Sequence, residues 1–176
     1  MYIETKRLYI RPFTMADVQF VYEYCSQPQI GEFAGWAAHK SITESTEILN
    51  EWITEGYRHA IVLKENRKVI GHILVGPDSE ENRVDTRELG CALNNQYHRQ
   101  GIMTEAIKAT LCSLFQTDEI QYIWACCFQN NIASKKMIEK CGFIFQQEGI
   151  FSSKSLNQKI SSYEYRISKK EWEALK

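Results

Sequence analysis

The sequence predicts an α+β fold of three layers: a mixed, mostly antiparallel sheet of six to seven strands flanked by helices, with a strand–helix–strand crossover at its centre. One observation behind this is a succession of short runs at 58–64, 68–75 and 86–93, apolar and separated by turn-forming residues, which reads as an antiparallel meander. A second is that strand, helix and strand follow one another between Glu88 and Phe128, about 40 residues, which suits a right-handed crossover joining parallel strands. The third is composition. A chain of 176 residues, 44% hydrophobic and 24% charged, is expected to form one compact domain over 1–176 with a sizeable core.

Taken in order, residues 2–13 alternate in part and end at Pro12, which reads as a strand, and Thr14 then caps a helix from Met15 to about Cys25. The stretch from Gln27 to Lys40 holds Pro28, Gly31, Gly35 and Trp36 and reads as irregular because of its breakers. Ser41-Ile-Thr-Glu44 is a capping box that opens a helix to about Gly56. The next two strands meet across Glu65-Asn66-Arg67, where Asn66 suits a tight turn, and Gly71 is expected at a bulge. Asp78 to Asp85 reads as a long polar loop, and the strand 86–93 returns from it.

From there Met103, Ala106, Ile107, Thr110, Leu111 and Leu114 recur at i, i+3, i+4 and i+7, one face of a helix of about four turns. Ile120 to Phe128 is a buried strand, and Asn131 opens a further helix with Met137, Ile138 and Cys141 inward and Gly142 at its end. Phe143 to Glu148 and Ser162 to Ile167 close the sheet, with Ser152 to Lys159 a loop and Lys169 to Leu175 a short helix.

A formal charge of −1 implies no polyanion-binding surface, so nucleic acid is not an expected partner. No cationic, apolar leader and no apolar run near ~18 residues is present, so neither a signal peptide nor a membrane span is expected and the chain is assigned to the cytoplasm, as a monomer or homodimer. The six cysteines form no C-x-x-C pair and read as reduced core thiols. His39, His59, His72 and His98 are scattered, so no metal is expected.

Candidate chemistry gathers where the strand 86–93 runs into the helix after Gly101. The first amides of a helix have no intrahelical partner and carry about half a positive charge, so anions settle there. Gly101 lets a ligand approach the backbone, and Arg99 adds a formal charge. By alternation Glu88 points opposite to Leu89, Cys91 and Leu93; it is either a general base or an exposed carboxylate paired with Arg87 or Lys64. Cys91 falls on the core face, a poor place for an acyl-cysteine. Phe33, Trp36 and Trp52 either cover the sheet or wall a pocket.

The segment His98-Arg99-Gln100-Gly101-Ile102-Met103, followed by Thr104-Glu105-Ala106, resembles motif A of the GNAT N-acetyltransferase superfamily, Arg/Gln-x-x-Gly-x-Gly/Ala, which binds the pyrophosphate of acetyl-coenzyme A. His98 and Met103 depart from it. Asn131-x-x-Ser134 with Gly142-Phe143 resembles motif B, and Glu4-Thr-x-Arg-Leu-x-x-Arg-Pro12 looks like the opening of RimJ/RimL-like members. The resemblance covers essentially the whole chain. It implies a GNAT-like sheet and acetyl-coenzyme A as cosubstrate, with no metal. The implied reaction is direct transfer of acetyl, in a ternary complex, to a primary amine of a protein or small molecule.

The same resemblance implies cosubstrate contacts from Cys91, Leu93, His98, Arg99, Gln100, Gly101, Ile102, Met103, Thr104, Asn131 and Ser134, and acceptor contacts from Phe33 and Trp36. Glu88 and Ser134 take the catalytic roles, the serine replacing a tyrosine that many members carry at the position of Ile138. That missing tyrosine also permits the alternative, an inactive module that only holds acetyl-coenzyme A. An amine of pKa ~10 has about one molecule in a thousand neutral at pH 7, a cost of ~4 kcal/mol, whereas an α-amine near 8 costs ~1.4 kcal/mol and needs only a weak base.

Overall fold

The structure is a computed structural model that describes residues 1–81, 83–117 and 119–175; Asn82, which falls in the expected polar loop, Asp118 and Lys176 lie outside the described residues. Among the described residues eight strands form one sheet: β1 Ile3–Glu4, β2 Leu8–Pro12, β3 Arg58–Leu63, β4 Val69–Gly76, β5 Thr86–Leu93, β6 Tyr122–Phe128, β7 Ile144–Ser153 and β8 Gln158–Ser168. Their spatial order is β1-β2-β3-β4-β5-β6-β8-β7. Every neighbouring pair is antiparallel except β5 with β6. The helices are α1 Val18–Cys25, α2 Pro28–Ala34, α3 Ile42–Glu55, α4 Ile102–Leu114, α5 Ile132–Lys140 and α6 Lys169–Ala174. Helix α4 is the crossover between the two parallel strands, as its sequence period predicts.

Alternation along the strands divides the core in two. Ile61, Ile73, Leu89, Ile123 and Ile167 pack against Ala106, Ile107 and Leu111 of α4 and Ile138 of α5. On the other face Ala60, Val62, Val69 and Ala92 pack against Val21 and Tyr24 of α1, Ile30 of α2 and Leu49 and Trp52 of α3. No helix among the described residues is long and apolar enough to cross a membrane.

Four elements differ from expectation, each for a local reason. Residues 2–13 are two strands, because Thr5 N donates to Leu8 O (2.9 Å) and turns the chain back, while the alternation continues through both arms. The stretch from Gln27 to Lys40 contains α2: Pro28 sits in its first turn and Gly35 takes the left-handed conformation (φ 82°) at its end, so these breakers punctuate a helix. In the capping box, Ser41 Oγ accepts from Glu44 N as expected, but the Glu44 carboxylate accepts from Lys40 N (2.6 Å), one residue upstream. Strands β7 and β8 pair out to Ser153 and Gln158, so the expected loop from Ser152 to Lys159 shrinks to a tight turn at 154–157.

The bulge lies beside Gly71: Ile61 pairs with Gly71 but Val62 pairs with Val69, leaving Ile70 extra. Gly71 itself lets β4 and β5 approach closely, since a Cβ there would run into the Ala92 carbonyl oxygen and lie 2.9 Å from Leu93 Cα. Gly71→Ala is therefore expected to lower stability by about 1–3 kcal/mol, seen as a lower urea midpoint with an unchanged m value. An unchanged midpoint would contradict the close approach.

Candidate active site

Strands β5 and β6 hold parallel register only at Thr86 with Tyr122, Arg87 with Ile123 and Glu88 with Trp124. Beyond that β5 follows β4 to Leu93, and β6 follows β8 to Phe128, so the two strands part inside the sheet. The register with β4 decides which backbone groups face the gap. Asn94 N donates to Ile70 O (2.8 Å). Antiparallel alternation then makes His72–Ala92 and Leu74–Gly90 the bonded pairs and turns the N–H groups of Cys91 and Leu93 away from β4, toward the parting. A cavity of about 880 Å³ runs through it, lined on one face of the sheet by the first turns of α4 and α5 and on the other by α2, β3 and β4.

At the end of β5 the His98 ring donates through Nε2 to the Leu93 carbonyl (2.9 Å). Arg99 (φ 59°) and Gly101 (φ 72°) both adopt the left-handed conformation and reverse the chain into α4. No side chain caps this helix. Its first bond runs from Glu105 N to Gly101 O (3.0 Å), so the N–H groups of Ile102, Met103 and Thr104 have no helical partner. The side chains of Ile102 and Met103 are buried in the core, so what they offer a ligand is main chain, and the bulk of Met103 does not close the turn. A Cβ at Gly101 would meet nothing nearer than Arg7 Nη2 at 3.7 Å, which leaves the approach open.

Residues far away in the chain hold this turn. Arg7 Nε donates to Glu105 Oε2 (2.6 Å), Arg7 Nη1 to the Gln100 carbonyl (2.9 Å), and Thr5 Oγ1 to Glu105 Oε1 (2.6 Å). Burial alone would push the Glu105 carboxyl up, but these bonds and the Arg7 charge outweigh it and hold it below the usual range. Gln100 closes the loop through its side-chain bond to Gln96 O (3.0 Å). In α5 the Asn131 side chain accepts from Ser134 N (3.0 Å) and caps the helix. The Ser134 hydroxyl lines the cavity one turn before buried Ile138 and makes no hydrogen bond among the described residues.

Glu88 lies on the opposite face, with Ala92. Its Oε2 accepts from Ser79 Oγ (3.5 Å). Burial, then the charges of Glu164 and Glu80, push its carboxyl above the usual range. The ion-pair reading does not hold: Arg87 donates to the Val84 and Thr86 carbonyls, and Lys64 pairs with Glu4. Cys91 lines the cavity, with its thiol pushed up to about 12 by burial, which keeps it protonated and a poor nucleophile. Phe33 and Trp36 also line the cavity, whereas Trp52 is a sheet-covering residue packed on Phe13 and His72.

Sequence reasoning missed several residues of this site. Phe128 and Phe151 line it as a ring pair with centroids 5.3 Å apart. Phe151 gets there because β7 is long and docks on α2, where Gly35 leaves room for its ring and Ser153 Oγ donates to Gly35 O (2.7 Å). Arg58 and His72 line the half of the cavity on the α1–α3 face, from β3 and β4. Thr5 and Arg7 were visible only as part of the opening wording, with no local sign that they meet Glu105.

The chain is 29% identical over 174 residues to the uncharacterized N-acetyltransferase YnaD of Bacillus subtilis (strain 168), an alignment covering 98% of this chain and 99% of that protein. A crystal structure of an acetyltransferase (GNAT family) from Bacillus anthracis superposes with a TM-score of 0.83 at 25% identity, covering 97% of this chain and 99% of that one. The spermidine N-acetyltransferase of Vibrio cholerae, solved in complex with CoA and spermine, shares the fold with a TM-score of 0.77 at 15% identity, over 96% of this chain and 99% of that one. Residues 7–144 match the family described as Acetyltransferase (GNAT) domain. A match over most of the chain, on a sheet that parts between its two parallel strands, places the protein in the GNAT acetyltransferase family as an acyltransferase.

Proposed function

We propose that the protein moves the acetyl group of acetyl-coenzyme A to a primary amine by direct transfer with both molecules bound. The observation that supports this most is that one continuous cavity joins the free amides of the α4 turn to Glu88 through the parting of β5 and β6. The donor fits the groups present: a pyrophosphate suits the N–H groups of Ile102, Met103 and Thr104 with Arg99 beside them, and an amide-bearing arm suits the outward N–H groups of Cys91 and Leu93. When bound it supplies a thioester that an amine can open with loss of thiolate.

The chain's own residues then divide the work. Glu88 takes the proton of the amine through a water; its raised pKa makes it a stronger base than an ordinary carboxylate. Ser134, with its hydroxyl unengaged, holds a proton for the departing sulfur. His98 and Gln100 act indirectly, fixing the Leu93 carbonyl and the loop, rather than through contact with phosphate. Phe33 and Trp36 shield the acceptor. We read 1–176 as a single such domain acting in the cytoplasm, of the RimJ/RimL-like branch, because the opening wording and the Thr-Glu-Ala wording of that branch meet in the Thr5–Arg7–Glu105 cluster. A carboxylate kept in a burial site that disfavours its charge argues for turnover over mere binding.

Gly101→Glu places charge and bulk against the phosphate site, in a backbone conformation that resists a side chain. Coenzyme A affinity is expected to fall steeply in a folded protein, and unchanged affinity by calorimetry would remove the phosphates from this turn. Ser134→Ala is expected to lower turnover more than affinity; an equal loss of both would make Ser134 a binding residue only.

For Glu88 the sign of linkage gives a second readout. A carboxyl whose folded pKa is raised costs stability once pH rises past its unfolded value and through the folded one, and costs nothing below both. Glu88→Gln is therefore expected to raise Tm at pH 7, with the gain vanishing in acid, while turnover drops roughly 10²-fold. Turnover held at the wild-type level at pH 7 would make Glu88 structural.

A further inference from the structure

On the acceptor face, His72 is 3% exposed and lines the cavity. Its Nδ1 lies 2.9 Å from the hydroxyl of fully buried Tyr24. The ring is packed by Trp36 at 5.7 Å and edge-on by Trp52 at 4.9 Å. Its other nitrogen, Nε2, has no hydrogen-bond partner among the described residues, and it is not one of the buried, unpartnered atoms sealed from the surface. The tautomer follows from Tyr24. The buried phenol proton needs an acceptor, and the choices are Nδ1 and the Cys25 sulfur, which also reaches it. Sulfur accepts weakly, so the proton goes to Nδ1, and the imidazole proton must then sit on Nε2.

The imidazole does not become a cation, since burial, then the charges of Arg58 and His39, push its pKa down to about 3. It is a single, oriented donor. Arg58, also lining the cavity, lies with its guanidinium 5.1 Å over the Trp52 ring, and its charge is paired with the Glu55 carboxylate (2.8 Å). An oxygen lone pair satisfies this donor; a second ammonium would face a donor with another donor.

Register gives the distance. His72 lies four residues before Gly76, the partner of Glu88, which is ~13 Å along the strands. Between them the floor is Gly90, with no side chain, opposite Leu74. Allowing for a water between Glu88 and the amine leaves roughly 10 Å. We propose that His72 is a specificity-determining residue whose Nε2–H binds an oxygen at the far end of the acceptor, so that the acceptor is an extended amine with a carbonyl or carboxylate roughly 10 Å from its reacting nitrogen, and not a polyamine. This rests on the acetyl-transfer reading above.

The test uses three amines of matched length and similar basicity, octylamine, 8-aminooctanoate and 1,8-diaminooctane, with thiol release from acetyl-coenzyme A as the readout. The wild-type chain is expected to favour 8-aminooctanoate over the diamine by about 10-fold or more in kcat/KM. In His72→Phe, KM for 8-aminooctanoate rises about 10-fold with kcat little changed, while octylamine, which has no oxygen to lose, changes by less than about 3-fold. His72→Gln, which retains an N–H donor, recovers part of the loss, and Tyr24→Phe shows a smaller loss in the same direction. A diamine used as well as the amino acid, or equal losses for all three amines in the folded variants, overturns the assignment and leaves acetyl transfer intact. Thiol release with none of the three also overturns it, and acetyl-coenzyme A that then fails to bind by calorimetry overturns the acetyl-transfer reading as well.

Discussion

Past Glu88, β5 has a bonded neighbour on one side only, although it lies in the middle of the sheet. A main-chain edge in such a place leaves N–H groups that the fold itself does not satisfy, and a sheet tolerates this where water or a ligand completes the ladder. The rest of the site depends on that constraint. The wedge exists because α4 must leave the end of β5 and cross to β6, and the left-handed residues Arg99 and Gly101 bend the chain sharply enough to start the helix there. The clamp from Thr5 and Arg7 to Glu105 and Gln100 then fixes where the first amides of α4 lie.

Because the wedge passes through the sheet, it joins two surfaces with different chemistry. The α4–α5 face offers free amides, an unengaged serine hydroxyl and apolar core residues. The α1–α3 face offers a carboxylate in an environment that raises its pKa, an aromatic wall and a buried histidine. Strand alternation separates them: Cys91 and Leu93 fall to one side, Glu88 and Gly90 to the other, so a ligand on each side meets the other only through the gap. The apolar core on both faces, interrupted on the α1–α3 side by the buried His72, is what holds the two halves in register.

Much of this was legible in the sequence wherever a local period or cap carries the information. The face of α4 predicted from Met103 to Leu114 faces the core, and Asn131 caps α5 as its position suggested. Glycine and proline between Gln27 and Lys40 were ambiguous, since the same residues break a helix or mark its two ends, and Pro28 and Gly35 do the latter. What lay beyond reach were contacts set by topology. Thr5 and Glu105 are 100 residues apart, His72 is one residue of a buried strand with no local signature, and Phe151 reaches the cavity only because a polar-looking segment pairs as a long edge hairpin.

The account stands or falls on what fills the wedge. Amide hydrogen exchange with and without coenzyme A reads this directly, since the N–H groups of Cys91, Leu93 and Ile102 to Thr104 lack a ladder or helical partner in the free chain. Protection is expected to rise at those amides and along 125–128 of β6, with the β7–β8 hairpin unchanged. Protection confined to the separate groove beside Tyr122 and Arg166, or no change within the parting, would contradict it.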